Sequence, residues 1–239
     1  MVAALVVVGV VIFLGVAYWL LMSPTSQVFG RYPWRARVSE KVVALTFDDG
    51  PNEPYTSQIA DFLATKQIKA TFFQVGRCVE RYPDVSKRLL TDGHVIGNHS
   101  VHHRFTDHLL HPSYKEEITN NQEIIYSHTG KRPALFRSPW LWRQPWLLAT
   151  VRKNSLQVVS GKFCHSFEVF QPKGDRIAKR TLAKVKPGSI IIFHDGFDAR
   201  GGKREQTVEA VKLTVDSLIK QGYRFVTISE LFGIPAYQK

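Results

Sequence analysis

The chain has 239 residues, 44% hydrophobic and 12% aromatic, a composition that excludes a disordered or low-complexity protein. Set apart from an apolar N-terminal run, roughly 200 residues remain, enough for one domain with a sizeable core and too few for two. The net charge is +12, and every Lys and Arg lies at or beyond Arg31; with no Lys/Arg run of five and no aromatic stacking motif, nucleic acid is not expected as a partner. The excess suits a solvated basic surface, or attraction to an anionic polymer or to lipid headgroups.

Residues 2–22 carry no charge, and roughly 20 apolar residues cross a hydrocarbon core about 30 Å thick. No basic residue precedes the run and no small-x-small site follows it, which favours an uncleaved transmembrane anchor over a signal peptide or a buried core helix. Tyr18 and Trp19 sit where interfacial aromatics belong. Residues 1–24 are therefore taken as the anchor, 25–40 as a linker and 41–236 as the folded domain. Arg31, Arg35, Arg37 and Lys41 follow the span, and the positive-inside rule alone would keep the domain in the cytoplasm. Long domains translocate largely regardless of charge, so the rule does not settle the side.

In the domain, KVVALTF (41–47) reads as a buried strand running into the turn DDGP. Apolar residues at helical spacing follow over 57–67, then a strand over 69–76. A helix over 85–93 stops at Gly93 and leads into a strand over 94–100. A longer helix over 115–130 stops at Gly130, with a strand over 134–140 beyond it. Residues 156–161 and 189–196 are strand-like, 207–222 an amphipathic helix, and 223–233 the last strand with a cap. Alternating strands and helices indicate parallel βαβ units, and six or seven of them predict an irregular α/β barrel of the (β/α)7 type. Reactive residues then belong at the C-terminal ends of strands.

The polar motifs fall at those ends. TFDDGP (46–51) sets Asp48 and Asp49 side by side, so that one carboxylate can bind a metal while the other faces a substrate water; a solvated turn is the alternative. In HSVHH (99–103), His99 and His103 are four apart and on one helical turn would share a face. Together with an aspartate they suit zinc and related divalent ions, leaving coordination positions open. His102 and His108 nearby keep an exposed His-rich turn as the alternative. Arg137 in FRSPW (136–140) can hold a carboxylate. His194 in IIFHDG (191–196) follows an apolar run and reads as a general acid. The aromatic stretch WLWRQPW (140–146) is either a sugar-stacking surface or a buried packing loop. Cys78 and Cys164 match no metal-binding spacing and are either free thiols or one disulfide.

TFDDGP, HSVHH, FRSPW and IIFHDG, in this order over residues 41–233, resemble the polysaccharide deacetylase family, the NodB-homology domain of carbohydrate esterase family four. The resemblance implies Asp48 as general base and Asp49, His99 and His103 as metal ligands, with Ser100 bracing the loop. It implies Arg137 orienting Asp48, His194 as general acid, and Pro139 and Trp140 lining the sugar site. The Trp140 N–H would help hold the oxyanion, and Phe193 or Ile192 would form a wall for the acetyl methyl. The expected cofactor is a divalent ion, most consistent with zinc, and the expected partner an N-acetylated glycan, peptidoglycan or chitin-like. A monomer is expected, held at the cell membrane by its N-terminal helix with the domain extracytoplasmic. One departure stands out: the family's aspartate, which tunes the general acid, has no counterpart in residues 157–170. Either Glu168 or Asp195 substitutes, or His194 has no carboxylate partner. Two other functions compete, an amidohydrolase for a small molecule and a non-catalytic sugar-binding homologue.

Overall fold

A computed structural model describes residues 1–108 and 111–239, excluding the side chains of His108, His111 and Pro112. His108, counted above in a possible His-rich turn, thus has its side chain outside the described residues. The elements in chain order are α1 (Val2–Met22), β1 (Val42–Asp48), α2 (Tyr55–Thr65), β2 (Thr71–Gln74), α3 (Gly76–Arg81), α4 (Pro83–Thr91), β3 (Val95–Asn98), α5 (His111–Thr129) and β4 (Leu135–Phe136). There follow α6 (Leu147–Lys153), β5 (Gln157–Val158), β6 (Lys162–Phe163), α7 (Gly174–Leu182), β7 (Ser189–His194), α8 (Glu205–Lys220), β8 (Arg224–Val226) and α9 (Ile228–Phe232).

β1 is buried along its whole length, as a central parallel strand covered on both faces must be. It pairs in parallel with β7 on one side; on the other, β8 takes its first half and β2 its second. The strand order is β5-β4-β3-β2-β1-β7-β6. Its two edge strands are separated only by Val159, Ser160 and Gly161. Laid flat, that order would put the edges about 29 Å apart, whereas the connecting steps reach at most about 14 Å. The sheet therefore curls into a half-barrel. The expected barrel is thus found in an open form, and residues 156–161, read from sequence as one strand, instead turn the corner between its edges.

Side chains alternate across the curled sheet. Val43, Leu45, Phe47, Ile191 and Phe193 point outward into a core shared with Ile59, Leu63, Val211 and Leu218 of α2 and α8. Ala44 and Ile190 point inward and pack with Phe73, Leu135 and Ile228. Asp48 and His194, at register-paired positions, end the inward rows of β1 and β7. Ile228, on α9, fills the interior near the start of β1, behind a capping box made by Thr227 and Glu230.

The segment 25–40 is not a linker but part of the domain. Tyr32 is 2% exposed and packs with Tyr114 and Phe136. Ala36 N–H donates to the Gly188 carbonyl, and Ser160 N–H to the Pro33 carbonyl. The fold also runs past residue 236, since the Ile96 N–H donates to Tyr237 Oη at 3.0 Å. Helices α3 and α6, of six and seven residues, are too short to give a clear period, and α7 also falls where no element is predicted from the sequence. Cys78 and Cys164 are both free and buried. Among the described residues α1 is the single helix long and apolar enough to cross a membrane, and none of it is buried.

Candidate metal-dependent active site

The C-terminal ends of β1, β3, β4 and β7 deliver the motifs to one cleft of about 370 Å³. Asp48 ends β1 pointing inward. Arg137 meets it there, donating from one guanidinium nitrogen to Asp48 Oδ1 at 2.7 Å and to Thr46 Oγ1 at 2.8 Å. Its other terminal nitrogen donates to the Ser160 carbonyl, and its plane lies 4.1 Å from the Phe73 ring. Arg137 is fully buried, so its charge has Asp48 as counter-ion and no water.

Asp49 takes a left-handed conformation (φ 74°), which turns its carboxylate away from that of Asp48. The loops after β1 and β7 pack back to back: a Cβ on Gly196 would lie 2.2 Å from the Asp49 carbonyl, and one on Gly50 2.1 Å from the Asp195 carboxylate. These two glycines are thus the price of close approach. Asp195 accepts from Thr56 Oγ1 at 2.6 Å, and burial, with Asp49 nearby, pushes it up to about 7. It serves the loop and does not reach His194.

The segment 99–103 is a loop and not a helical turn, with Ser100 (φ 68°) and His103 (φ 55°) both left-handed. Local bonds hold it: Ser100 N–H donates to Asn98 Oδ1, and His103 N–H to Ser100 Oγ. Glu117 on α5 accepts from the N–H groups of Val101 and His102 and lies 2.5 Å from His102 Nδ1. The two rings are brought together by this bonding and not by helical periodicity.

His99 Nδ1 is 2.7 Å from the Arg137 carbonyl, which fixes the proton there and leaves Nε2 as a ligand. His103 Nδ1 is 3.0 Å from Asp198 Oδ1. The two Nε2 atoms then face Asp49 Oδ1 at 3.4 and 3.1 Å. That oxygen is buried and has no hydrogen-bond partner, an unfavourable state for a carboxylate unless a cation sits against it. Two imidazoles and one carboxylate oxygen, with His99 hydrogen-bonded from behind and His103 within ion-pair distance of Asp198, fit a divalent ion.

His194 Nδ1 lies 2.6 Å from Glu168 Oε2. Glu168 is 1% exposed and also accepts from Thr207 Oγ1. Burial by itself would lower His194, but Glu168, with Asp49 and Asp48 farther off, raises it to about 9. Glu168 therefore takes the place left open by the missing aspartate.

Asp48, Asp49, His99, His103, Trp140 and His194 all line the cleft, with Arg137 directly beneath. Pro139 is buried behind the turn that presents Trp140 and is not among the lining residues. Phe193 is fully buried and stacked with Phe47 in the outer core; strand alternation sends it to the opposite face from His194, so it cannot touch a substrate. Ile192 points inward but packs deep against Gly161. In 140–146, Arg143 and Gln144 are buried while Trp140 borders the cleft, so the stretch is in part packing loop and in part cleft wall. Sequence gave no sign of Asp198 or Glu117, whose roles depend on contacts between distant elements.

A parallel half-barrel whose strand ends gather a carboxylate–arginine pair, a cation cradle and a buried Glu–His pair defines a metal-assisted hydrolase. Residues 35–159 match the family described as Polysaccharide deacetylase. A peptidoglycan-N-acetylglucosamine deacetylase of Bacillus cereus is 33% identical over 213 residues, 89% of this chain and 98% of that one. A chitooligosaccharide deacetylase of Azorhizobium caulinodans is 31% identical, over 79% of this chain and 93% of its own. Among solved structures, the Bc1960 peptidoglycan N-acetylglucosamine deacetylase superposes with a TM-score of 0.78 at 28% identity, covering 87% of this chain and 95% of that one. Peptidoglycan deacetylase PdaC from Bacillus subtilis gives 0.72 at 31%, covering 81% and 91%. The chain belongs to the polysaccharide deacetylase family. That family is metal-dependent, in keeping with the cradle found here.

Proposed function

We propose that the protein hydrolyses the acetamido group of N-acetylglucosamine residues in a glycan, peptidoglycan or a chitin-like chain, releasing acetate and leaving a free amine. The observation that carries this reading is the pairing across β1 and β7. Asp48, hydrogen-bonded to Arg137, and His194, kept protonated by Glu168, stand at opposed register positions beside the cation cradle. The pair sets a proton acceptor opposite a proton donor, as amide hydrolysis requires.

Asp49, His99 and His103 would hold the ion, and their mixed N/O set suits zinc. The ion supplies Lewis-acid polarisation of the amide carbonyl and positive charge beside the developing oxyanion. Asp48 takes a proton from the attacking water as the C–O bond forms. His194 delivers its proton to the sugar nitrogen as the C–N bond breaks. Trp140 and Leu141 line the cleft and form the wall beside the reacting group, the part the sequence assigned to Phe193. The helix α1 anchors the chain to the cell membrane, and its relatives' peptidoglycan substrates favour an extracytoplasmic domain.

Acetate release from peptidoglycan and from chitin oligomers tests the reading, with and without chelator, in wild type, Asp48→Asn and His99→Ala. Chelator and both substitutions should abolish release. Release that survives chelation would reject the metal mechanism, and none from either glycan by zinc-loaded protein would reject the substrate.

A further inference from the structure

The cleft is walled on one side by the membrane helix itself. Tyr18 and Met22, from the last turn of α1, line the same cavity as Asp48, His103 and His194. Their attachment to the domain is bonded. The Leu20 carbonyl accepts from Ser26 Oγ at 2.9 Å, and the Leu21 carbonyl from the Arg143 N–H at 2.8 Å. The Pro24 carbonyl accepts from the Arg143 guanidinium at 3.1 Å and from Ser160 Oγ at 2.9 Å. Helix-terminal carbonyls have no partner within their own helix, so buried Arg143 is at once a cap and a clamp. If α1 crosses a bilayer, its Tyr18–Met22 turn lies at the headgroup boundary, and those residues rise only about 6 Å along the axis. The mouth of the cleft then lies at that boundary and not far out in solution.

Two other features of this rim suit a lipid surface. Next to Glu168, Phe167 is 62% and Phe170 75% exposed, with ring centroids 6.3 Å apart, and Phe170 borders the cleft. Aromatic rings so exposed beside an apolar helix are favoured at a membrane interface. Across the cleft, His103, Trp140 and Asp198 also wall a depression of about 400 Å³ edged by Arg77, Arg104 and Arg200. None of these arginines has a carboxylate within 4.0 Å among the described residues. Arginines without a close ion pair, beside exposed aromatics and a spanning helix, make a surface complementary to anionic headgroups.

We infer that this rim is a membrane-apposed face: the cleft opens onto an anionic bilayer surface and takes glycan held there by a lipid. The inference rests on the proposed anchoring by α1 and on the proposed deacetylation. The full chain in phosphatidylglycerol/phosphatidylcholine vesicles tests it, with a polarity-sensitive fluorophore on single cysteines placed at Trp19, Phe167 or Lys220 and spin-labelled lipid as quencher. The native cysteines are buried, and Lys220 ends α8 next to β8, at the sheet end remote from Asp48. Labels at 19 and 167 should be quenched about fivefold more than the label at 220. Quenching at 19 without 167 overturns the apposed face and leaves the anchor standing; quenching at neither overturns both.

An activity arm separates lipid contact from sugar stacking. In Phe167→Ser, kcat/KM should fall about tenfold on lipid-linked chitotetraose in vesicles and stay within about twofold on free chitotetraose. Equal losses on both substrates overturn the inference. If wild type releases acetate from neither, the deacetylase reading fails, and the quenching arm still decides the face.

Discussion

Glu168 and His194 form a buried carboxylate–imidazole pair at 2.6 Å, although 26 residues separate them and neither lies on an α-helix. A short 3-10 turn from Glu168 to Phe170 brings the carboxylate to the end of β7, and Thr207 on α8 holds it there. The pair sets the working range of the proposed general acid.

Glu168→Gln removes the charge that outweighs burial, so His194 should lose its proton at a lower pH. The alkaline limb of the kcat/KM profile should shift to lower pH by about two to three units, and activity at pH 8 should fall about 10- to 100-fold. Glu168→Asp should recover part of the shift. An unmoved alkaline limb in Glu168→Gln would remove Glu168 from the mechanism.

Asp198 braces His103 from behind the cradle. Asp198→Asn should weaken zinc binding about 10- to 100-fold, read by competition with a chromophoric chelator, with activity restored at saturating zinc. In the metal-free protein, burial works to lower His103, but Asp49 and Asp198 outweigh it and raise the ring to about 10. Zinc must displace that proton, so affinity should rise with pH. Affinity independent of pH from 6 to 8 would count against this protonation state.

Away from the cleft, His94 is a structural histidine. Its Nδ1 accepts from the Ala70 N–H, and burial, with Lys69 close by, lowers it from 6.5 to about 4. Between those values the unfolded chain binds a proton that the folded chain refuses, so stability rises with pH across this window. It should be lost as pH falls from about 6.5 toward 4, by about 3 kcal/mol at full effect. Urea titrations of His94→Gln should show a flatter dependence over that range.

Phe193 separates packing from substrate contact. Phe193→Ala should cost about 3–5 kcal/mol of stability through the cavity left against Phe47. The folded fraction should keep its KM within about twofold. A large rise in KM with stability intact would return Phe193 to the sugar site.

By itself, the sequence determined the motif residues that gather at the cleft, the family and the apolar span. Each of these is written in contiguous residues: a buried strand, then Asp48 and Asp49; another strand, then His99; an apolar run, then His194. Strand ends are local events, and parallel βα units bring successive ends to one edge, so the motifs converge without any knowledge of distance. The tertiary structure decided what depends on which side of a strand or loop a residue takes. Asp195 adjoins His194 yet turns beneath the DDGP loop to Thr56, while Glu168 arrives from afar. Phe193 follows the alternation of β7 into the helix layer, and residues 156–161 bend between the two edges of a sheet that has to curl. These outcomes rest on packing between segments remote in the chain, for which neither periodicity nor spacing leaves a mark.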